Sequence, residues 1–184
     1  MRTRLLITLL AALATLATAS VAAAITVQGT VNAGTTLTAT GVGSPTFNLT
    51  LNGVDQTTTY ALPVSVVDAR GLAAGGGWNL TITSTTFTDG SGHTFPTTAS
   101  TMTGVATACG ASSTCLAPTN AVANTSLAVP AGTVAPAAVK WENAATATGL
   151  GTNTVTATIS VAVPANVFAG VYSSTVTVAI VAGP

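Results

Sequence analysis

Apolar and polar residues alternate with a period of two along most of this chain. The clearest runs lie at residues 60–66, 78–82, 155–163 and 176–180, where the larger apolar side chains fall on one parity. A shorter run at 47–51 stops at an Asn52-Gly53 pair, which favours the positive φ angles of a hairpin turn. A period of two is typical of half-buried β-strands, and the abundant Val and Thr favour strands over helices. The pattern therefore predicts strands throughout.

Clusters of glycine and proline divide the alternating runs into short segments. Two examples are DGSGHTFP, at 89–96, and LAVPAGTVAP, at 127–136. Many short strands separated by turn signals are typical of a sandwich or a barrel. We expect an all-β fold, a single antiparallel β-sandwich that is Ig-like or barrel-like. The stretch 99–138 is rich in small residues and is expected to form loops and short strands.

The first 24 residues differ from the rest of the chain. Arg2 and Arg4 precede an apolar run at 5–16, and A-x-A sites follow it. This order is typical of a secretory signal peptide. An uncleaved membrane anchor is the alternative, but the run is short and diluted with Ala and Thr, whereas a span needs about 20 strongly apolar residues. We expect residues 1–24 to be cleaved as a signal peptide that lies outside the fold, and residues 25–184 to form the domain. We also expect a secreted protein that has no membrane segment after cleavage.

The charge is too low for a nucleic-acid-binding protein. The chain has 4 Lys and Arg residues against 4 Asp and Glu residues, and Arg2 and Arg4 belong to the predicted signal peptide. Neutralising phosphates requires clustered Lys and Arg. With 48% hydrophobic residues, the chain is also too apolar for a disordered protein, so we expect it to fold.

The cysteines Cys109 and Cys115 lie close together in the stretch ACGASSTCLAP. In an exported chain, such a pair predicts a disulfide. A metal site is the alternative, but two thiols are too few ligands and no His, Asp or Glu lies near them. His93, the single histidine, has no ligand set for calcium beside it, and the chain has neither a nucleophile motif nor paired carboxylates. We expect no metal, no cofactor and no enzymatic activity.

Two groups of residues stand out against this background. The stretch VVDARGLAAGGGWNLTI contains the tripeptide Trp78-Asn79-Leu80. Further along, Tyr172 is followed at fixed spacing by Val176, Thr177, Val178, Ile180 and Pro184. Together these groups resemble the two signatures, W-x-L and Y-x-x-x-L-T-W-x-L-x-x-x-P, of the WxL domain, a cell-wall-binding module of Gram-positive surface proteins. In the second group, Val178 replaces the tryptophan, and two other aliphatic residues replace the leucines.

The resemblance implies a secreted, non-catalytic surface protein that attaches non-covalently to the bacterial cell wall, through peptidoglycan or another wall glycan. The candidate binding residues are Trp78, Asn79, Leu80, Asp68, Arg70 and Tyr172. Trp78 either stacks on a sugar ring or fills the core, because it shares its parity with Leu80. Asp68 and Arg70 either hold a ligand or pair with each other to fix a turn.

A structural role is the alternative function. The Thr- and Val-rich final run also looks like the last strand of spore-coat and fimbrial subunits. An exposed, uncharged strand is a template for pairing with another chain, and residues 25–31, ITVQGTV, have the alternation of a donated strand. In this interpretation the chain is a subunit of a pilus-like or coat-like assembly, with other surface proteins as partners.

Overall fold

The structure, a computed structural model, describes residues 26–71 and 76–184. The predicted signal peptide, residues 1–24, lies outside the described residues. The chain divides into two units, Met1–Val31 and Asn32–Pro184. In the first unit, residues 26–31 are described; they are exposed and belong to no strand.

The second unit holds nine β-strands among its described residues, and no helix. They are β1 (Leu37–Gly41), β2 (Gln56–Asp68), β3 (Trp78–Thr85), β4 (Ser100–Cys109), β5 (Leu127–Ala128), β6 (Ala131–Gly132), β7 (Val139–Ala144), β8 (Gly151–Val163) and β9 (Val176–Ala182). The prediction of an all-β fold is confirmed.

The strands form two sheets. The five-stranded sheet has the order β1-β2-β8-β4-β5, and each neighbouring pair is antiparallel. Its longest pairing places β2 beside β8, from Gln56 opposite Val163 to Asp68 opposite Gly151. In the four-stranded sheet, β3 is central. Strand β9 pairs along one side of β3, and antiparallel β7 and parallel β6 share the other side.

The hydrophobic core gathers side chains from both sheets and follows the parity of the sequence. Its buried members on the three longest alternating runs are Leu62, Val64, Val66, Trp78, Leu80, Ile82, Val155, Ala157, Ile159, Val161 and Val163. Each large aliphatic side chain removed from water contributes about 1.5–3 kcal/mol to folding. The core is therefore the main source of stability in a chain with so few charges.

The polar residues Thr83 and Ser84 near the end of β3 are buried as well. The stretch 130–136, which contains β6, accepts from both hydroxyls: Thr83 Oγ1 donates to the Pro136 carbonyl at 2.8 Å and Ser84 Oγ donates to the Pro130 carbonyl at 3.1 Å. Because β6 pairs beside this end of β3, the same stretch extends the sheet and supplies partners for buried polar groups.

Two stretches differ from the sequence-based prediction. The run at 47–51 keeps its alternating exposure but belongs to no strand. The stretch 99–138, expected to hold only loops and short strands, contains the ten-residue strand β4. A register shift between Met102 and Gly104 interrupts its parity, and its residues are small, so no period is visible in the sequence.

The predicted disulfide is confirmed at the end of β4. Cys109 and Cys115 are bridged, with their sulfur atoms 2.02 Å apart. The bridge closes a tight loop directly after the strand, which stabilises the fold chiefly by restricting the unfolded chain.

Candidate functional site

The first signature lies inside the protein. Trp78 and Leu80 have no exposed surface, and Asn79 is 8% exposed. The indole Nε1 of Trp78 donates to the Gly149 carbonyl at 3.1 Å, and Asn79 Nδ2 donates to the Gly183 carbonyl. This placement corresponds to the core interpretation of Trp78, since its ring faces protein on every side in this conformation.

Two glycines explain how the chain delivers Trp78 to the core. Gly77 has a φ of 55°, and a Cβ at this position would collide with the Ala144 carbonyl. Gly149 has a φ of 71°, and a Cβ there would lie 2.5 Å from Nε1 of Trp78. Only glycine accepts both the positive φ and the close approach. The last glycine before Trp78 is thus required by the close approach of the chain to the backbone of Ala144 and Ala145, and Gly149 by the packing around the indole ring.

Asp68 and Arg70 fix the turn between β2 and β3. Arg70 donates from Nε and Nη2 to the two carboxylate oxygens of Asp68, at 2.9 and 2.7 Å. Its Nη2 also donates to the Gly77 carbonyl at 2.7 Å. Burial alone would raise the pKa of Asp68, but the hydrogen bonds and the charge of Arg70 outweigh it and lower that pKa. The pair joins the end of β2 to the residue before Trp78, as the turn interpretation expects.

The strand that contains most of the second signature, β9, pairs with the strand that contains the first, β3. In the register of β3 and β9, Leu80 lies opposite Ile180 and Ile82 lies opposite Val178. Val176, Val178 and Ile180 are half-buried and pack against the core, whereas Thr177 is exposed. Pro184 is exposed beyond the strand. Val178, which stands at the tryptophan position of the second signature, therefore faces the core from an edge strand.

Tyr172 lies before β9 and belongs to an aromatic cluster that the sequence does not reveal. All Phe and Tyr residues of the chain are in contact within this cluster or at its rim, whereas Trp78 and Trp141 are in the core. The ring centroids of Phe47 and Tyr60 lie 6.3 Å apart, those of Phe47 and Phe87 5.6 Å, those of Phe87 and Phe95 5.5 Å, and those of Phe95 and Tyr172 4.4 Å.

These rings border an open cavity of about 850 Å³, which we call the aromatic groove. Two stretches, 45–51 and 167–174, supply most of its lining, together with Phe87, Phe95 and Val163. Because the ring contacts lead from Phe47 through Phe87 and Phe95 to Tyr172, the rings form a floor that connects the two stretches. None of the lining residues is charged.

The rim of the groove exposes large apolar side chains. Phe168 is 63% exposed and Val171 is 88% exposed. The ring of Phe168 stacks on His93 with a centroid distance of 3.9 Å, and the Tyr172 hydroxyl donates to the Phe168 carbonyl at 3.1 Å. His93 in turn lies 2.5 Å from the Asp89 carboxylate, and this hydrogen bond lowers the pKa of Asp89. An exposed ring is thus held in place from two directions.

Most of the backbone along both stretches is unpaired among the described residues, whereas Val167 bonds to Pro164 and Ser173 to Thr88. No backbone-to-backbone hydrogen bond of the described chain involves residues 43–51 or 168–172. The Thr50 carbonyl accepts a hydrogen bond from the Gln56 side chain, and the Phe168 carbonyl accepts the one from Tyr172. The groove therefore offers an apolar floor, an exposed ring and free peptide groups, a combination suited to binding an extended chain molecule.

Of the candidate residues in the sequence, the structure brings only Tyr172 to this groove. Trp78, Asn79 and Leu80 are in β3, and Asp68 and Arg70 are at the turn that precedes it. Sequence reasoning missed Phe87, Phe95 and Phe168 as site residues, because they lie far apart and outside the alternating runs. Their position in turn-rich stretches such as DGSGHTFP is the one signal that separates them from core residues.

Comparison with known proteins gives no relative: no family model matches this chain, and no curated protein or solved structure matches it. Within the described ranges, no three His, Cys, Asp or Glu side chains are grouped as metal ligands would be. The same residues contain no helix of the length and apolar character needed to cross a membrane.

Proposed function

We propose that this chain is a secreted, non-catalytic cell-surface protein that attaches non-covalently to the bacterial cell wall, with peptidoglycan bound in the aromatic groove. The observation that carries this proposal is the collection of nearly all Phe and Tyr rings in and around one open groove, in a chain with 4% aromatic residues. Tyr172, one of the three residues that match the second signature identically, lines that groove.

The groove has the properties that a wall polymer requires. It is open along its length, so a long polymer can enter from the side. The face of Phe168 suits the C–H surface of a sugar ring, and Asn48, Ser173 and Ser174 supply hydrogen-bonding groups beside it. Concave sites with an apolar lining and a few polar groups are the usual form of a ligand site. The absence of charge from the lining means that attraction would come from stacking and hydrogen bonds.

In this proposal the first and second signatures have different roles. Trp78 and its paired strand β9 hold the two edges of the four-stranded sheet in register. Tyr172, just before β9, stacks on Phe95 and supports the backbone of Phe168. The tryptophan of the first signature then acts on binding only by maintaining the fold.

Sedimentation with purified peptidoglycan tests the proposal. Phe168→Ala should weaken binding about tenfold, since an exposed stacking ring contributes on the order of 1.4 kcal/mol. Val134→Ala is the control, because Val134 is 83% exposed and is not among the lining residues. Equal sedimentation of both variants and the unmodified protein would exclude the groove as the wall-binding site.

A second candidate function is a structural subunit of a pilus-like or coat-like assembly formed by β-strand addition. It is favoured by the unpaired backbone along residues 43–51 and 168–172. Strand addition gains affinity from main-chain hydrogen bonds that such a backbone provides. Fibres that form with rising protein concentration in the absence of wall material would distinguish this function from wall binding.

A further inference from the structure

We propose that the aromatic groove also accepts residues 26–31 of a second copy of this chain as an added β-strand, so that self-association and wall binding compete for one site. The competition rests on the proposed function, whereas the strand addition does not. The occupant is defined by its chemistry: an extended, uncharged segment with apolar residues on one parity.

The acceptor is the aromatic groove, whose lining stretches adjoin an edge strand of each sheet. Strand β1 is an edge of the five-stranded sheet, β9 is an edge of the four-stranded sheet, and these two edges contact each other. The stretch 45–51 follows β1, and the stretch 167–174 precedes β9. Both stretches line the aromatic groove. Exposed strand edges are templates for pairing with another chain.

The donor is exposed and has the matching pattern. Val27 is 89% exposed and Val31 is 98% exposed, and both share the parity of Gly29. The intervening residues Thr26, Gln28 and Thr30 are polar and uncharged. The donor's six residues extend about 20 Å as a strand, and the stretch 43–51, whose backbone is unpaired, offers at least that many residues. One face of the donor would cover the aromatic floor, and the other would stay in water.

The chain's own segment is too short to fill the groove lengthwise. Gly34 is fixed at the end of β2, because its N–H donates to the Ala69 carbonyl at 2.8 Å. Val31 lies three residues before Gly34, so it reaches at most about 11 Å from that point. Tyr60, which packs on Phe47, lies eight residues before Asp68 in β2, about 26 Å away. Val31 thus stays about 15 Å short of Tyr60, and residues 26–31 of the same molecule cannot lie along the whole groove. We therefore assign the donor to a second copy.

The test compares two double variants of the secreted protein by analytical ultracentrifugation. Val27→Asp with Val31→Asp places two charges on the face that would contact the aromatic floor, and should weaken self-association at least tenfold. Thr26→Asp with Thr30→Asp is the matched control, because it adds the same charge to the same segment on the opposite face and should retain association. Neither pair touches the described core.

Outcomes of this test separate the two proposals. A protein that stays monomeric at every concentration, or a Val pair and a Thr pair with equal effects, would overturn the strand addition. If association behaves as expected, the Val variant should sediment with peptidoglycan at least as strongly as the unmodified protein. Loss of sedimentation for both the unmodified protein and the Val variant would instead count against wall binding and leave the strand addition standing.

Discussion

At the scale of single residues, the packing around Trp78 is the most constrained feature of the protein. Its ring has no exposed surface, and its N–H donates to the carbonyl of Gly149, a residue at which an added Cβ would collide with the ring. A buried indole needs both a partner for its N–H and space for its ring, and Gly149 provides both. Gly77, the residue before Trp78, allows the chain to pass close to the backbone of Ala144 and Ala145.

Gly149→Ala should destabilise the protein by about 1–3 kcal/mol, because a Cβ would collide with the indole ring and strain a backbone with positive φ. Gly104→Ala is the matched control, since its Cβ would meet no atom within 4 Å, and should change stability by less than about 0.5 kcal/mol. Thermal melts of both variants measure the difference. Equal melting temperatures would contradict the close packing of Trp78.

Glu142 makes stability depend on pH. It is 3% exposed, and burial raises its pKa to about 7 although the hydrogen bond from Asn124 acts in the opposite direction. Because the folded pKa lies above the ordinary value of 4.5, the stabilising contribution is fully present below that value and is lost as pH rises through 7. Melting temperatures should therefore be higher at about pH 5 than at about pH 8.

Glu142→Gln provides the control for this pH dependence. It keeps the shape of the side chain and a carbonyl acceptor for Asn124 but cannot ionise, so most of the difference between the two pH values should disappear. The low pKa of Asp68 affects stability only at more acidic pH, outside this window. A difference that persists unchanged in the variant would show that another group causes it.

At the scale of strands, β3 and β9 show that an alternating sequence pattern describes a paired strand only when a neighbouring strand is present. Val178 lies opposite Ile82 and is half-buried, so the parity of β9 is the parity of a core-facing edge strand. In contrast, residues 47–51 show the same parity without any strand partner. Alternation predicts which side of an extended segment is apolar, and it does not predict whether the segment is paired.

Val178→Trp, which introduces the tryptophan of the WxL signature, should destabilise the protein by about 1–3 kcal/mol through overpacking and should not tighten sedimentation with peptidoglycan. Thr177→Trp adds the same bulk on the exposed face of the same strand and should have little effect on the melting temperature. If Val178→Trp left the melting temperature unchanged and increased sedimentation, position 178 would be a ligand contact and its assignment to the core would be wrong.

At the scale of the whole molecule, the few charges are used within the fold. Arg70 pairs with Asp68, His93 pairs with Asp89, and Glu142 is buried beside Asn124. The surface is thus largely uncharged, and so is the lining of the aromatic groove. Any ligand of that groove is recognised by surface shape, stacking and neutral hydrogen bonds, which salt affects little.

Sedimentation with peptidoglycan should therefore change less than about twofold when ionic strength rises from about 0.05 to about 0.5 M, because the Debye length shortens without a charge in the lining to screen. Binding to the same material after its anionic polymers have been removed is the control and should be retained. A steep loss with salt would indicate that exposed charges such as Lys140 bind the wall, and not the groove.

The sequence alone determined the all-β class, the buried parity of β2, β3, β8 and β9, and the disulfide, because each depends on local spacing. Only the tertiary structure decided three further features. It placed Trp78 in the core, since the loops that enclose it come from distant parts of the chain. It gave the buried hydroxyls of Thr83 and Ser84 their hydrogen-bond partners in residues 130–136. It also brought together rings from positions 47, 87, 95 and 172, which no local period relates, because contacts between distant segments arise from the way the sheets pack.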